Sequence, residues 1–315
     1  GSIPSCRLTT STLAKTSMST FKEAIQERDF VLTAELKLAR ETGASDILEQ
    51  AAILDRHTDA IQIPDNHNAR VHMTPLAVAS TLLKNEFEPL VQLTCRDRNR
   101  VALESEILSL GAMGVENLLL MRGDDLPGDH RPKVKQVFEL GGKQLIELAR
   151  ALADDPTVKS VPDFCIGTVA TVFNPKAAWT PRSLLTKVEA GARFIQTQLC
   201  FDVPTLRRYM NHLVEARLTW KASIIVSVAT LPNAMTARWL RENLRGSVVP
   251  KKVIRRLQHA RDPEKEGVMI CTELLQEMAE VPGVSGAHLM TPGEVETVPA
   301  AILAAGLRNK TPETD

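Results

Sequence analysis

From Phe30 onward, short runs of apolar and β-branched residues alternate with longer stretches whose apolar positions recur at helical spacing. That alternation is the pattern of parallel strands joined by crossover helices. It predicts strands at Phe30–Leu36, Ala60–Pro64, Leu90–Cys95, Asn117–Met121, Phe164–Ala170, Phe194–Leu199, Ser223–Ala229 and Val284–Met290. Helices are predicted at Ser45–Arg56, Thr74–Lys84, Asn99–Leu110, Gly142–Leu152, Pro181–Ala190, Val203–Leu218, Met235–Leu244 and Glu294–Leu303. Ser45 supplies a cap, and Pro75 suits a first helical turn. Eight strand–helix units close an α/β (β/α)8 TIM barrel, which takes roughly 250 residues. An open doubly wound sheet would carry a Gly-rich phosphate turn after its first strand. The chain has no GxGxxG and no GxxxxGK, so the barrel is the expected fold.

Extra helical material, Pro250–Ala260 and Glu264–Met278, is expected between strands seven and eight. Lys251, Lys252, Arg255 and Arg256 crowd one face of it. A solvated helix face is the expectation there, and an anion site for a phosphorylated or polyglutamylated ligand is the functional alternative. Residues 18–308 are expected to form one barrel domain. Residues 1–17, Ser/Thr-rich and opening Gly1-Ser2, are read as a leader or vector-derived tail, and 309–315 as a C-terminal tail.

Composition narrows the function. The 315 residues carry 38 Lys+Arg against 38 Asp+Glu, a balance that argues against a nucleic-acid or anionic-membrane binder. Aromatic content of 4% leaves little for base-stacking platforms. Hydrophobic content of 43% with 24% charged excludes global disorder. The five cysteines include no CxxC, so neither a zinc knuckle nor a disulfide framework is indicated, and a cytoplasmic setting is expected. No apolar run reaches the length of about 18 residues that a membrane span requires.

In a barrel of this kind chemistry gathers at the C-terminal ends of strands. Those ends offer Glu35 and Lys37; Asp65, Asn66 and His67; Gln92, Thr94 and Arg96; Arg122, Gly123, Asp124 and Asp125; Thr168, Thr171 and Asn174; Gln196, Gln198 and Asp202; Ser227 and Thr230. His67 is the one histidine in that set, so no Ser-His-Asp or Cys-His group and no metal cluster is read from it. Carboxylates and amides around a mouth suit a flat heterocycle, with one carboxyl as proton donor and a cofactor for redox work.

Four segments, QLTCRDRN at 92–99, LMRGD at 120–124, KVEAGA at 187–192 and TQLCFD at 197–202, resemble the methylenetetrahydrofolate reductase family, in the family's order. VHMTPLA at 71–77 and GDH at 128–130 add to the likeness, and the Asp97-Arg98-Asn99 triplet resembles its bacterial and archaeal branch. The resemblance runs with good motifs from about Phe30 to Asp202. It implies a flavin-bearing barrel that interconverts 5,10-methylenetetrahydrofolate and 5-methyltetrahydrofolate, with FAD as cofactor and NAD(P)H as electron donor. It implies Glu35 as the general acid that opens the ring at N10, Asp124 beside flavin and pterin, and Gln198 on the pterin. Flavin contacts are implied at Gln92, Thr94, Arg122, Gly123, Asp124, Ala170 and Asn174, with Lys187 near the pyrophosphate. Homo-oligomerisation or an electron-donor protein partner is compatible with it.

The chain departs from the family in named places. After Glu35 it reads Leu36-Lys37-Leu38-Ala39 where the family usually has two prolines. Residues two apart on a strand share a side, so Lys37 is expected to point with Glu35, where an ammonium would favour the ionised carboxylate. Gln92 stands where many members have His, and Thr180, Ser183 and Thr186 stand where others direct Asp, Asn and Arg at the adenosine half. The alternative reading is a folate-binding or accessory subunit without reductase activity of its own.

Overall fold

The computed structural model describes residues 20–126 and 133–308. The expected tail at 1–17, the segment Gly128–His130 and the tail at 309–315 lie outside the described residues. Eight strands form a closed barrel in sequence order: β1 (Val31–Glu35), β2 (Ala60–Ile63), β3 (Pro89–Thr94), β4 (Asn117–Met121), β5 (Cys165–Ala170), β6 (Phe194–Thr197), β7 (Ser223–Ala229) and β8 (Gly286–Met290). Each is parallel to its neighbours, and β8 pairs with β1 to shut the ring. Around it lie α1 (Phe21–Glu27), α2 (Ala44–Asp55), α3 (Pro75–Leu83), α4 (Arg100–Ala112), α5 (Gly142–Asp154), α6 (Arg182–Glu189), α7 (Val203–Glu215), α8 (Ala234–Asn243), α9 (Lys251–His259), α10 (Pro263–Ala279) and α11 (Thr297–Ala304). The (β/α)8 barrel expected from the sequence is the fold, with α9 and α10 as the extra helices before β8.

Period two along the strands sorts the side chains. Leu32 and Ala34, Ile61 and Ile63, Val91 and Leu93, Leu118 and Leu120, and Ala287 and Leu289 belong to the large core between strands and helices. The other phase faces the barrel axis. Its lowest layer is apolar: Val31, Ala60, Leu90, Leu119, Cys165, Phe194 and Ile225 cluster with Phe21 and Ala24 of α1. The layers above are mostly polar, and they floor the cavity described below.

The sequence reading did not propose α1, which closes the N-terminal end. Its signal was the spacing Thr20-x-x-Glu23, a capping box. The Thr20 hydroxyl accepts from the Glu23 amide, and Glu23 Oε2 accepts from the Thr20 amide at 2.8 Å. Phe21 is fully buried and meets the Phe194 ring edge-on, centroids 5.4 Å apart. Gly167 makes room for that ring, since a Cβ there would lie 2.1 Å from Phe194 Cζ.

Two element ends differ from expectation. β6 stops at Thr197 because the following residues turn away to the loop at 245–248, where Leu199 accepts from the Val248 amide and Val248 accepts from the Phe201 amide, both at 2.8 Å. α7 ends at Glu215 rather than Leu218, because Arg217 adopts a left-handed φ of 54° that no α-helix continues through.

Candidate functional site

A cavity of about 1000 Å3 opens at the C-terminal ends of the strands. Nine of the predicted site residues line it: Glu35, Gln92, Thr94, Arg122, Gly123, Asp124, Ala170, Lys187 and Gln198. Asn174 does not; its Oδ1 accepts from Arg208 Nε at 2.6 Å on the exposed outer side. Thr168 does not line it either.

The floor is built from the inward phase of six strands. Gln62, Gln92, Gln196, Ser227 and His288 are buried there, and half-buried Glu35 stands above them. Gln62 Nε2 donates to Gln92 Oε1 at 3.4 Å, and the Gln92 amide also reaches Met121 Sδ at 3.3 Å. Gln62 Oε1, Gln196 Oε1 and His288 Nε2 are buried without a hydrogen-bond partner among the described residues. Buried polar atoms without partners in a polar cavity are the mark of a site shaped for a ligand.

His288 is the histidine that the sequence reading missed, since its inventory of strand ends stopped at strand seven. A usable signal was present: in Gly286-Ala287-His288-Leu289-Met290 the histidine falls between two residues that face the helices. Its Nδ1 meets Thr33 Oγ1 at 2.9 Å, and its Nε2 lies 3.7 Å from Glu35 Oε2. Lys37, expected on the same side as Glu35, does not line the cavity; its ammonium donates to the Gly293 carbonyl at 3.3 Å. β1 ends at Glu35, so the alternation of sides no longer governs Lys37. The backbone there is instead held by Gln50, which accepts from the Lys37 amide at 2.8 Å.

At the β2 and β3 ends, Asp65 is buried and accepts from the Thr94 amide at 2.8 Å, the Thr94 hydroxyl at 3.0 Å and both terminal nitrogens of Arg98 at 2.7 and 3.0 Å. Arg98 also pairs with Glu106, whose carboxyl burial pushes above its ordinary value against the pull of Arg98. Thr94 therefore has its hydroxyl committed beneath the cavity. Gly123, at a φ of +85°, lays its loop against that strand end, where a Cβ would approach Thr94 Cβ to 3.0 Å. Arg122 stacks on Phe138, 3.7 Å from the ring centroid, and donates to Asp125 at 3.0 Å. Asp124 is exposed on the rim, with no hydrogen bond or ion pair among the described residues.

Across the mouth, Gln198 Oε1 accepts from the Leu199 amide at 2.9 Å, and its NH2 has no acceptor among the described residues. Lys187 Nζ donates to the Val169 carbonyl at 3.1 Å, and burial holds its ammonium below its usual range. Phe173 meets Trp179 and Tyr209 edge-on while those two rings lie tilted at 30° to each other, centroids 5.0 to 5.5 Å apart, an aromatic wall that composition alone did not suggest. Burial pushes the thiol of Cys95 up to about 11 and those of Cys165 and Cys200 to about 12, so none is a thiolate at neutral pH. The basic face expected at 251–256 is tied in part to α10, where Arg256 pairs with Glu266 and Glu273. No helix among the described residues is long and apolar enough to cross a membrane.

Fold and site together define a (β/α)8-barrel protein with a polar, amide-rich ligand site at the C-terminal mouth. The family model for methylenetetrahydrofolate reductase matches residues 20–305, and the chain belongs to that family. It is 28% identical over 156 residues to the 5,10-methylenetetrahydrofolate reductase of Salmonella typhimurium, covering 48% of this chain and 47% of that one. It is 25% identical over 238 residues to methylenetetrahydrofolate reductase 2 of Schizosaccharomyces pombe, covering 70% of this chain and 36% of that one. The chain thus spans about half the length of the bacterial relative it matches. An uncharacterized protein from Clostridium thermocellum that binds two copies of 5-methyl-5,6,7,8-tetrahydrofolic acid shares the fold, with a TM-score of 0.63 at 14% identity over 91% of this chain and 98% of that one.

Proposed function

We propose that this chain is a cytoplasmic oxidoreductase that interconverts 5,10-methylenetetrahydrofolate and 5-methyltetrahydrofolate with a bound flavin, and that NAD(P)H supplies the electrons. One observation carries the reading: Glu35 from β1, Asp124 after β4 and Gln198 after β6 line one cavity. The unpartnered Gln62 and Gln196 oxygens and the close-lying Gly123 loop fit a flat ring with hydrogen-bonding edges. Residues that would hold the flavin are Gln92, Thr94, Arg122, Gly123, Asp124, Ala170 and Lys187. When bound it supplies two-electron hydride chemistry.

The side chains divide the remaining work. The Asp124 carboxylate accepts from pterin N–H groups, and the free Gln198 NH2 donates to a pterin acceptor. Glu35 carries the proton delivered at N10, which turns the methylene bridge into an electrophile. With Lys37 drawn to Gly293, His288 is the basic group beside Glu35 and the route by which it regains its proton.

A second reading, a folate-binding protein without reductase activity, is favoured by Thr180 and Ser183, which line the cavity where the resemblance expects charged and amide groups toward the flavin's adenosine half. Purified protein reconstituted with FAD separates the two. The reductase reading expects visible flavin absorbance and oxidation of NAD(P)H when methylenetetrahydrofolate or an artificial acceptor is present. Colourless protein that binds tetrahydrofolate by calorimetry and shows no turnover supports the second reading instead.

A further inference from the structure

We infer that His72, as a neutral imidazole, is a positioning residue that clamps the turn after β2 and, through that turn, sets Arg96 at the cavity wall. The turn's geometry holds whatever fills the cavity; its effect on FAD rests on the flavin reading above. Between β2 and α3 the backbone twice enters the left-handed region at residues other than glycine, Asn66 at a φ of 46° and Ala69 at a φ of 58°. Such backbone persists where its surroundings over-determine it. His72 is the largely buried side chain that does so. Its Nε2 accepts from the Asn66 amide at 2.9 Å, its own amide donates to Asn66 Oδ1 at 3.4 Å, and its Nδ1 lies 2.6 Å from the Met73 carbonyl. An amide N–H only donates and a carbonyl only accepts, so the ring carries its proton on Nδ1 and a lone pair on Nε2. A second proton has no place there, since on Nε2 it would face the Asn66 N–H.

From Asn66 the order passes to the cavity. The Asn66 carbonyl accepts from the Ala69 amide at 2.8 Å and from Arg96 Nη2 at 2.9 Å, and its side chain hydrogen-bonds Asp97. Asp97 in turn grips Arg96 through Nε and Nη2 at 2.8 and 2.7 Å. Arg96 is 3% exposed and lines the cavity, as His67 of the same turn does. Two successive residues, Asp65 and Asn66, therefore anchor Thr94 and Arg96 on the neighbouring strand end. The titratable and charged groups around the clamp are few. Asp65, His67 and Arg70 share its segment, Arg96 and Asp97 meet it from the β3 end, and α3 has none between Pro75 and Leu83. Arg96 is paired with Asp97 and Asp65 with Arg98, which leaves the imidazole of His72 as the group whose protonation breaks the clamp directly.

Two readouts on the full chain test this: hydrogen exchange at the Asn66 amide by NMR, and FAD affinity by quenching of flavin fluorescence. A Gln amide oxygen reaches the place of Nε2, whereas an Asn amide reaches only that of Nδ1. His72→Gln is expected to keep the Asn66 amide protected and to bind FAD within about threefold of the native protein. His72→Asn should lose that protection and bind FAD about tenfold more weakly, the size of one stranded hydrogen bond. Taken from pH ~7.5 to pH ~5.5, across the ordinary histidine range, the native protein should lose protection and FAD affinity while His72→Gln holds both. His67 is present in both proteins and cannot account for that difference. A His72→Asn variant that matches His72→Gln, or an equal acid loss in the native protein and His72→Gln, overturns the inference. Should His72→Asn fail to fold, the acid comparison decides alone. Native protein that binds no FAD removes the flavin reading, and the Asn66 exchange pattern then decides the clamp by itself.

Discussion

Glu35 and His288 face each other across the seam that closes the barrel, Oε2 to Nε2 at 3.7 Å. β1 and β8 pair with Thr33 opposite His288, so the residue two further along β1 leans over the imidazole from above. Thr33 holds the other ring nitrogen at 2.9 Å. Replacing Glu35 by Gln keeps the shape and removes the transferable proton. On the reductase reading, the folate half-reaction should fall about 100- to 10,000-fold, while reduction of flavin by NAD(P)H persists. Stopped-flow measurement of the two half-reactions checks this, and equal loss of both would contradict the role given to Glu35.

On the reductase reading His288 acts through Glu35, so its removal should show in the rate of the folate step more than in binding. His288→Asn is expected to slow the folate half-reaction about tenfold while leaving folate affinity unchanged. Thr33→Val, which frees the ring to rotate, should give a smaller effect of the same kind. Unchanged rates in both variants would make the pair purely structural.

The buried Asp65–Arg98 pair supports the strand end that carries Thr94. Asp65→Ala takes one of its two carboxylate partners from Arg98 and removes the acceptor for two Thr94 groups. Glu106 still partners Arg98, which puts the expected cost at the low end for a broken buried pair, about 3 kcal/mol. Urea denaturation of the variant beside the native chain measures it.

Asp163 ties α1 to the barrel. Burial pushes its carboxyl up, but hydrogen bonds from Arg193 and Arg150 outweigh that and hold it at about 2, below its ordinary 3.8. A depressed carboxyl stabilises the fold fully above its unfolded value and loses that contribution as pH falls through about 4 toward about 2. The side chain is half exposed, so screening leaves about 1 kcal/mol or less. Asp163→Asn should therefore be slightly less stable than the native chain at neutral pH, with the gap narrowing at pH ~3. Thermal melts at the two pH values test the sign.

The apolar plug under the barrel should behave as a unit. Phe21→Ala is expected to cost about 3–5 kcal/mol. Gly167→Ala should be destabilising through its clash with the Phe194 ring, and Phe194→Leu should relieve part of that cost in the double variant. Strict additivity in denaturant melts would argue against direct packing at this position.

The sequence by itself determined the barrel, because alternation of strand and helix is written locally and eight such units have one compact closure. It also exposed much of the site: polar residues interrupt the apolar strands at positions such as Gln62, Gln92 and Gln196, and period two sends them inward together. What only the tertiary structure decided is which of these groups meet. Thr33 and His288 stand 255 residues apart and touch only because β8 closes on β1. Thr94 turned out to be anchored on Asp65, Lys37 to be drawn off to Gly293, and Arg245 to be brought beside Gln198 by a glycine with positive φ. Periodicity reports the face on which a side chain leaves its own strand. The partner it finds depends on ring closure and loop path, which are properties of the whole chain.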